Sequence, residues 1–453
     1  MARPREPEEF GPRPEYGDAC PKSAEPAGPA GPAEPAEPAA PPPARRRFWR
    51  RRGVRIAAVS TVLTLAGLAI LVLVWLETGT RGMLVGSGLA LLPVPLLIAG
   101  FLWLDRVAPG AWRYRIFAFA WGAFAATLVA MLANTFAARW IATGLPTASS
   151  REEDLWGMAV VAPVVEETAK AAAILLLFLW RRYYFSSLVD GLVLAGIIGT
   201  GFAFTENILY LGRAYDEDQT FGDSGPLATV TVTFIARIVF SPFAHPLFTA
   251  MAGIGFGLAA LTHTRRRLRR ILLPVAGLLL AIAMHALWNG SAVMNGYAFL
   301  GAYAFVMAPV FGLLVWLAIW SRGGKLRTIR DQLPAYAHAG WLVPAEPVAL
   351  SSLRARKIAR SLARHAHGDE ARRAVTDYER AATTLAILRA QATQGRPPPN
   401  YADRERALLA TMWTNKSIAQ PALTRAAYTT NPPPRPLWPP PPGPPHPDNT
   451  PRG

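Results

Sequence analysis

Glu166 and Glu167 are followed by Lys170, so that on a helix the amine can pair with either carboxylate, at four residues' or three residues' distance. Two adjacent carboxyl groups in a medium of low dielectric cannot both be charged cheaply. With Lys170 keeping one of them ionised, the other can hold a proton. Such a pair can take a proton from water and return it, which is what general acid–base hydrolysis requires. Further along the chain come Glu206-Asn207, then His245 with Thr249 four residues on, then His285 with Asn289 four residues on. These spacings put each histidine and its partner on one helix face. Pro242 and Pro246 bracket His245 and free backbone carbonyls beside it.

All of these residues lie in apolar runs long enough to cross a hydrocarbon layer about 30 Å thick. Eight runs can be read, at 56–76, 83–104, 116–138, 155–180, 188–211, 230–262, 271–290 and 297–320. The predicted fold is therefore an all-α, polytopic membrane bundle of about eight transmembrane helices. Arginines gather in every second connection (Arg106/Arg113/Arg115, Arg181/Arg182, Arg265–Arg270, Arg322/Lys325/Arg327), and acids in the others (Glu77, Glu152–Asp154, Asp216–Asp218). The positive-inside rule then places both termini in the cytoplasm of a bacterial cell, the bundle being embedded in its plasma membrane.

An ionisable group inside a membrane costs roughly 2.5–3.5 kcal/mol on insertion scales and by default marks a function. Glu206 lies 40 residues after Glu166, and His285 lies 40 after His245; the midpoints, Ser186 and Arg265, fall in cytoplasmic connections. Antiparallel helices folded about those points bring the four residues to one level. At a rise of 1.5 Å per residue that level is roughly 20–27 Å from the cytoplasmic ends, in the outward half of the bilayer. Broken backbone at that depth is tolerated where it lines a cavity. Taken singly, each element has a structural reading: an ion pair for Glu-Glu-x-x-Lys, a helix-to-helix hydrogen bond for a histidine, packing for Trp288, a structural partner for Arg237, a boundary residue for Asp190. Four costly residues at one depth on four consecutive helices describe a site.

Composition sets the remaining bounds. The chain has 453 residues, 51% of them hydrophobic, and a formal charge of +17. Because the basic excess beside the spans is explained by topology, no nucleic-acid partner is implied; the partner common to all these runs is the lipid bilayer. Cys20 is the only cysteine, so neither a disulfide framework nor a cysteine metal site is available. Only five of the 47 basic residues are lysine, a usage typical of GC-rich, actinobacterial-type sequences. Residues 1–52 read as a disordered Pro/Ala-rich tail ending in a basic anchor, 53–322 as the membrane core, 323–412 as a basic helical cytoplasmic tail with Arg354, Arg356, Arg360 and Arg364 on its faces, and 413–453 as a Pro-rich disordered tail.

At Glu166-Glu167-x-x-Lys170, Phe202-x-x-x-Glu206-Asn207, His245-x-x-x-Thr249 and His285-x-x-Trp288-Asn289 the sequence resembles the PrsW family of intramembrane proteases, within the superfamily of CAAX-processing and Abi proteases. The motifs run from about 160 to 290. The resemblance implies an intramembrane endopeptidase that cuts a membrane-anchored protein near the outer face, typically an anti-sigma factor. It implies that Glu166 and Glu167 activate water, with Glu206 supporting them or holding a metal, and that Asn289 donates to the oxyanion. His245 and His285 would ligate a metal, with Glu206, or stabilise the oxyanion. Zinc is the metal such a His/His/Glu set suits, and relatives that work by glutamate-activated water alone keep a metal-free version open. Two readings compete: a proton-coupled membrane transporter, for which a Glu/Lys/His cluster could relay protons, and a catalytically inactive membrane scaffold.

Overall fold

The computed structural model describes residues 44–431, except 145–148, 150, 151, 154, 182–184, 223, 224, 226, 227 and 264. The described residues are overwhelmingly helical and contain no strand. The chain divides into Met1–Ile56 and Ala57–Gly453. Of the first unit only the helical residues 44–56 are described, so the Pro/Ala-rich tail lies outside the described residues, as does the Pro-rich segment 432–453.

Six helical stretches among the described residues are long and apolar enough to cross a membrane, making this a multi-pass membrane protein. They contain seven of the eight runs expected. Gly53–Val107 holds two of them: helix α1 (Ala44–Leu91) turns at Gly79, where φ is 62° and ψ 179°, a conformation glycine adopts without strain, and α2 (Val94–Leu104) continues after Pro93. The eighth run, a π-helical segment Leu155–Val161 continuing as α5 (Ala162–Arg181), falls outside the six because Glu166, Glu167 and Lys170 enter any window long enough to span.

The remaining helices of the core are α3 (Trp112–Ala120) and α4 (Thr127–Gly144) joined by π-helical Trp121–Ala126, then α6 (Leu188–Phe221), α7 (Thr229–Phe234) running into π-helical Ile235–Phe240, α8 (Ala244–Leu261), α9 (Arg267–Met294), α10 (Gly296–Ala302), π-helical Tyr303–Met307 and α11 (Ala308–Gln332). Helix α6 is the axis of the bundle: 89% of its apolar window is buried, against 11% for Gly53–Val107, whose leucines face lipid. Its glycines let neighbours approach backbone to backbone. A Cβ on Gly191 would meet the Gly253 carbonyl, and one on Gly199 the His245 carbonyl, so α8 packs antiparallel on α6 at van der Waals contact. Gly255 and Gly277 do the same for α8 and α9. Asp190 begins α6 by accepting from the Ser186 and Ser187 amides at 2.7 and 2.8 Å, and Lys325 of α11 reaches it at 2.6 Å.

The C-terminal segment departs from the sequence expectation. Helices α12 (Pro334–His338), α13 (Ala345–Leu350), α14 (Leu353–Thr393) and α15 (Tyr401–Thr430) enclose an apolar core with Tyr378, Leu385, Met412, Leu423 and many alanines, which also takes in Val107, Ile329 and Leu333. The expected start of disorder at 413 is therefore corrected: α15 continues through Pro421 to Thr430 because Met412, Ala419, Ala422, Leu423, Ala426 and Ala427 keep a helical apolar stripe that is buried. Nor is Arg356 on a solvated face. It is buried, donating to the carbonyls of Leu350 (2.7 Å) and Val107 (3.3 Å) and to the Thr383 hydroxyl (2.8 Å).

Candidate active site

Lys170 is the centre of the site. Fully buried, its Nζ donates to Glu167 Oε1 at 2.8 Å and Glu166 Oε2 at 3.3 Å, contacts His245 Nδ1 at 3.1 Å, and stands 3.6 Å from the centroid of the Phe202 ring. An ammonium ion removed from water needs this many partners, and α5 supplies two of them from one face. Glu167 is as fully committed. Its Oε1 also faces His285 Nδ1 at 3.0 Å, and its Oε2 accepts from the Thr249 hydroxyl at 3.1 Å. The helix pairs α5/α6 and α8/α9 thus meet at the level the 40-residue spacings imply. The two imidazoles lie edge to face, 5.3 Å between centroids, and Phe248 stacks on His285.

The sequence reading set Arg237 aside, yet it belongs here. Its guanidinium, carried by π-helical Ile235–Phe240, donates to Glu206 Oε2 at 2.9 Å and Asn207 Oδ1 at 3.1 Å and covers the Tyr210 ring at 3.5 Å. Glu206 Oε2 also lies 2.6 Å from His245 Nε2. The signal available is charge balance: three spanning glutamates against one spanning lysine leave an acid for Arg237 to meet. The π-helical turn, a local widening frequent at functional sites, has no such signature in sequence. The chain then breaks at Ser241–Phe243, and α8 opens with His245 in its first turn, as the two prolines suggest.

A cavity of about 590 Å³ lies beside this cluster. Glu166, Glu206, Arg237, His245, Trp288 and Asn289 are on its wall, and it extends to Glu77, Glu153 and Arg213 at the end of the bundle remote from the C-terminal helices. Glu167, Lys170 and His285 are not among the lining residues. Of the adjacent glutamates, Glu166 therefore faces the cavity, and Glu167 faces the helix interface. Asn289 donates one amide hydrogen to the Met158 carbonyl at 2.9 Å, leaving the other for the cavity.

A group that could hold a metal is Glu166, His245 and His285, whose ligating atoms all lie within 4.8 Å of one another. The expectation named Glu206 as the carboxylate; Arg237 claims it, and Glu166 takes its place. The set fits a catalytic zinc: two histidines and one glutamate, with the other ring nitrogen of His285 on a carboxylate, an arrangement that fixes the tautomer of a ligating imidazole.

Fold and site together define a polytopic membrane protein with a buried Glu/Lys/His centre open to a cavity. Residues 110–314 match the PrsW family intramembrane metalloproteases. Every motif residue from Glu166 to Asn289 lies inside the matched segment, so the membrane core is similar to a PrsW-family intramembrane protease. No curated protein and no solved structure matches it.

Proposed function

We propose that this chain is a PrsW-type protease that hydrolyses a peptide bond of a membrane-tethered protein, in the half of the bilayer remote from its C-terminal helices. We take that half as outward and both termini as cytoplasmic, in a bacterial plasma membrane, on the alternation of loop charge. An anti-sigma factor is the substrate class that the family resemblance suggests. One observation carries the mechanism: Glu166 belongs both to the buried ionic cluster and to the cavity wall.

Glu166 would hold the attacking water and take its proton, then return it to the leaving amine. Lys170 and Glu167 set the charge around it, and Glu167 with Thr249 fixes His285. Arg237 and Glu206 hold the His245 ring from its other side. The free amide hydrogen of Asn289 can donate to the carbonyl oxygen as negative charge develops there. In a metal-loaded form Glu166 would instead be a ligand, holding a zinc ion with His245 and His285, and the ion would supply the polarisation of the carbonyl and the acidification of water.

Glu166→Gln keeps shape and hydrogen bonding but removes the base. Comparing membrane proteomes of wild-type and variant cells should show the variant at normal level and cleavage reduced by at least about 10²-fold. Chelator inhibition reversed by zinc assigns the metal version; indifference to chelator assigns glutamate-activated water alone. Cleavage by Glu166→Gln at the wild-type rate removes the carboxylate from the mechanism and revives the transporter and scaffold readings.

A further inference from the structure

Where α2 and α11 leave the apolar layer, next to the C-terminal helices, the charges do not balance. Four of them close on one another. Arg115 lies 2.5 Å from Asp105, and Lys325 lies 2.6 Å from Asp190 and 3.8 Å from Asp105, all four buried. Two cations meet two anions, and no acid is left over. Arg106 and Arg322 stand beside this group with no acidic partner among the described residues. The Arg322 guanidinium covers the Trp103 ring at 4.0 Å, its Nε is buried without a hydrogen-bond partner, and besides this partial burial it bears the like charge of Arg106. The buried donor left unmade on Arg322 costs free energy, and exposed Arg106 beside it offers a second guanidinium to the same ligand. A single anion with several acceptor oxygens removes that cost and meets both guanidinium groups.

The level identifies the anion. Trp103 closes one apolar run and Trp320 another, both about half exposed, and a further guanidinium, Arg327, faces the Trp320 ring at 5.8 Å. Exposed tryptophans at the ends of spans mark the depth of lipid headgroups. We propose that Arg106, Arg322 and Trp103 form a binding site for the phosphate of an anionic phospholipid. The guanidinium groups take the phosphate oxygens, and the exposed indole lies against the glycerol and upper acyl chain.

The test uses the full chain in nanodiscs of phosphatidylglycerol and phosphatidylcholine, with retained lipids counted by native mass spectrometry. Wild type should retain one tightly held phosphatidylglycerol. Arg106→Gln/Arg322→Gln should lose it with roughly 25-fold weaker retention, two basic residues each contributing about a factor of five. Arg265→Gln/Arg267→Gln, which removes two exposed charges from another connection, should retain it. Equal loss in both double variants would show a diffuse charge effect and overturn the site. Stabilisation of detergent-solubilised protein by inorganic phosphate as strong as by phosphatidylglycerol, lost in Arg106→Gln/Arg322→Gln, would reassign it to a soluble anion. Retention by the Arg106/Arg322 variant equal to wild type would remove it altogether.

Discussion

Among single residues, Arg237 carries the sharpest expectation. It touches His245 only through Glu206, so its loss should leave the rest of the cavity wall in place and loosen the orientation of the ring. Arg237→Gln is expected to lower the cleavage rate roughly 10- to 100-fold, the usual effect of removing a group that orients a ligating residue, with the membrane level unchanged. Arg237→Lys should recover little, because one ammonium cannot bridge Glu206 and Asn207 while covering Tyr210. Outside the membrane, burial, only partly offset by Arg360 at 3.8 Å and by the charges of Arg356 and Arg380, pushes Glu379 up to about 7. The folded protein then binds a proton that the unfolded chain has released, between the ordinary carboxylate value of 4.5 and about 7. Stability of the C-terminal helices should therefore fall as pH rises through that window, by about 1.4 kcal/mol per pH unit at most, and level off above it. Glu379→Gln should flatten the profile, as melting curves between pH 5 and 8 can show. Glu166, Glu167, Lys170, His245 and His285 were legible from charge inside apolar runs. Which glutamate faces the cavity was not, because adjacent residues on one helix differ only by rotation, and sequence does not give the rotation.

At the level of elements, depth was legible because antiparallel helices on a short connection obey simple arithmetic. Lys170 of α5 faces Phe202 of α6, and Gly191 and Gly199 of α6 face Gly253 and His245 of α8 in one antiparallel register. The glycines that make this possible give the fourth expectation. Gly191→Ala places a methyl group against the Gly253 carbonyl, with backbone on both sides and no side chain free to yield. It should part α6 from α8 and sharply reduce accumulation. Gly88→Ala meets nothing within 4 Å, lies in a helix, and should be neutral or stabilising by up to about 1 kcal/mol. Equal behaviour of the two variants in membrane fractions would mean that close packing on α6 is not what holds the site together. The π-helical segments among the described residues, at 121–126, 155–161, 235–240 and 303–307, have no sequence signature because a widened turn keeps the same apolar composition as the helix around it.

For the whole molecule, the boundary placed near 323 marks where apolar composition ends, not where the fold does. Helix α11 leaves the membrane and carries Ile329 into the C-terminal core without interruption. The disorder expected from 413 was read from prolines, whereas an alanine-rich stripe decides the outcome there. A chain ended after Arg330 keeps every site residue but uncovers Val107 and Ile329. It should insert and cleave, at a reduced level and with a shorter half-life in pulse–chase measurements; loss of cleavage at normal level would place part of the machinery in α12–α15. The dual membership of α11 has a further consequence. Lys325 and Ile329 are one helical turn apart, the first pinned to α6 and the second to the C-terminal core. Neither region can open without disturbing the other, so the two should behave as one cooperative foldon, their backbone amides exchanging hydrogen at a common rate. A mutation that loosens α14 and α15 would then be read out in the interior of the membrane, some of its cost appearing as lost order around Asp190 at the start of the central helix.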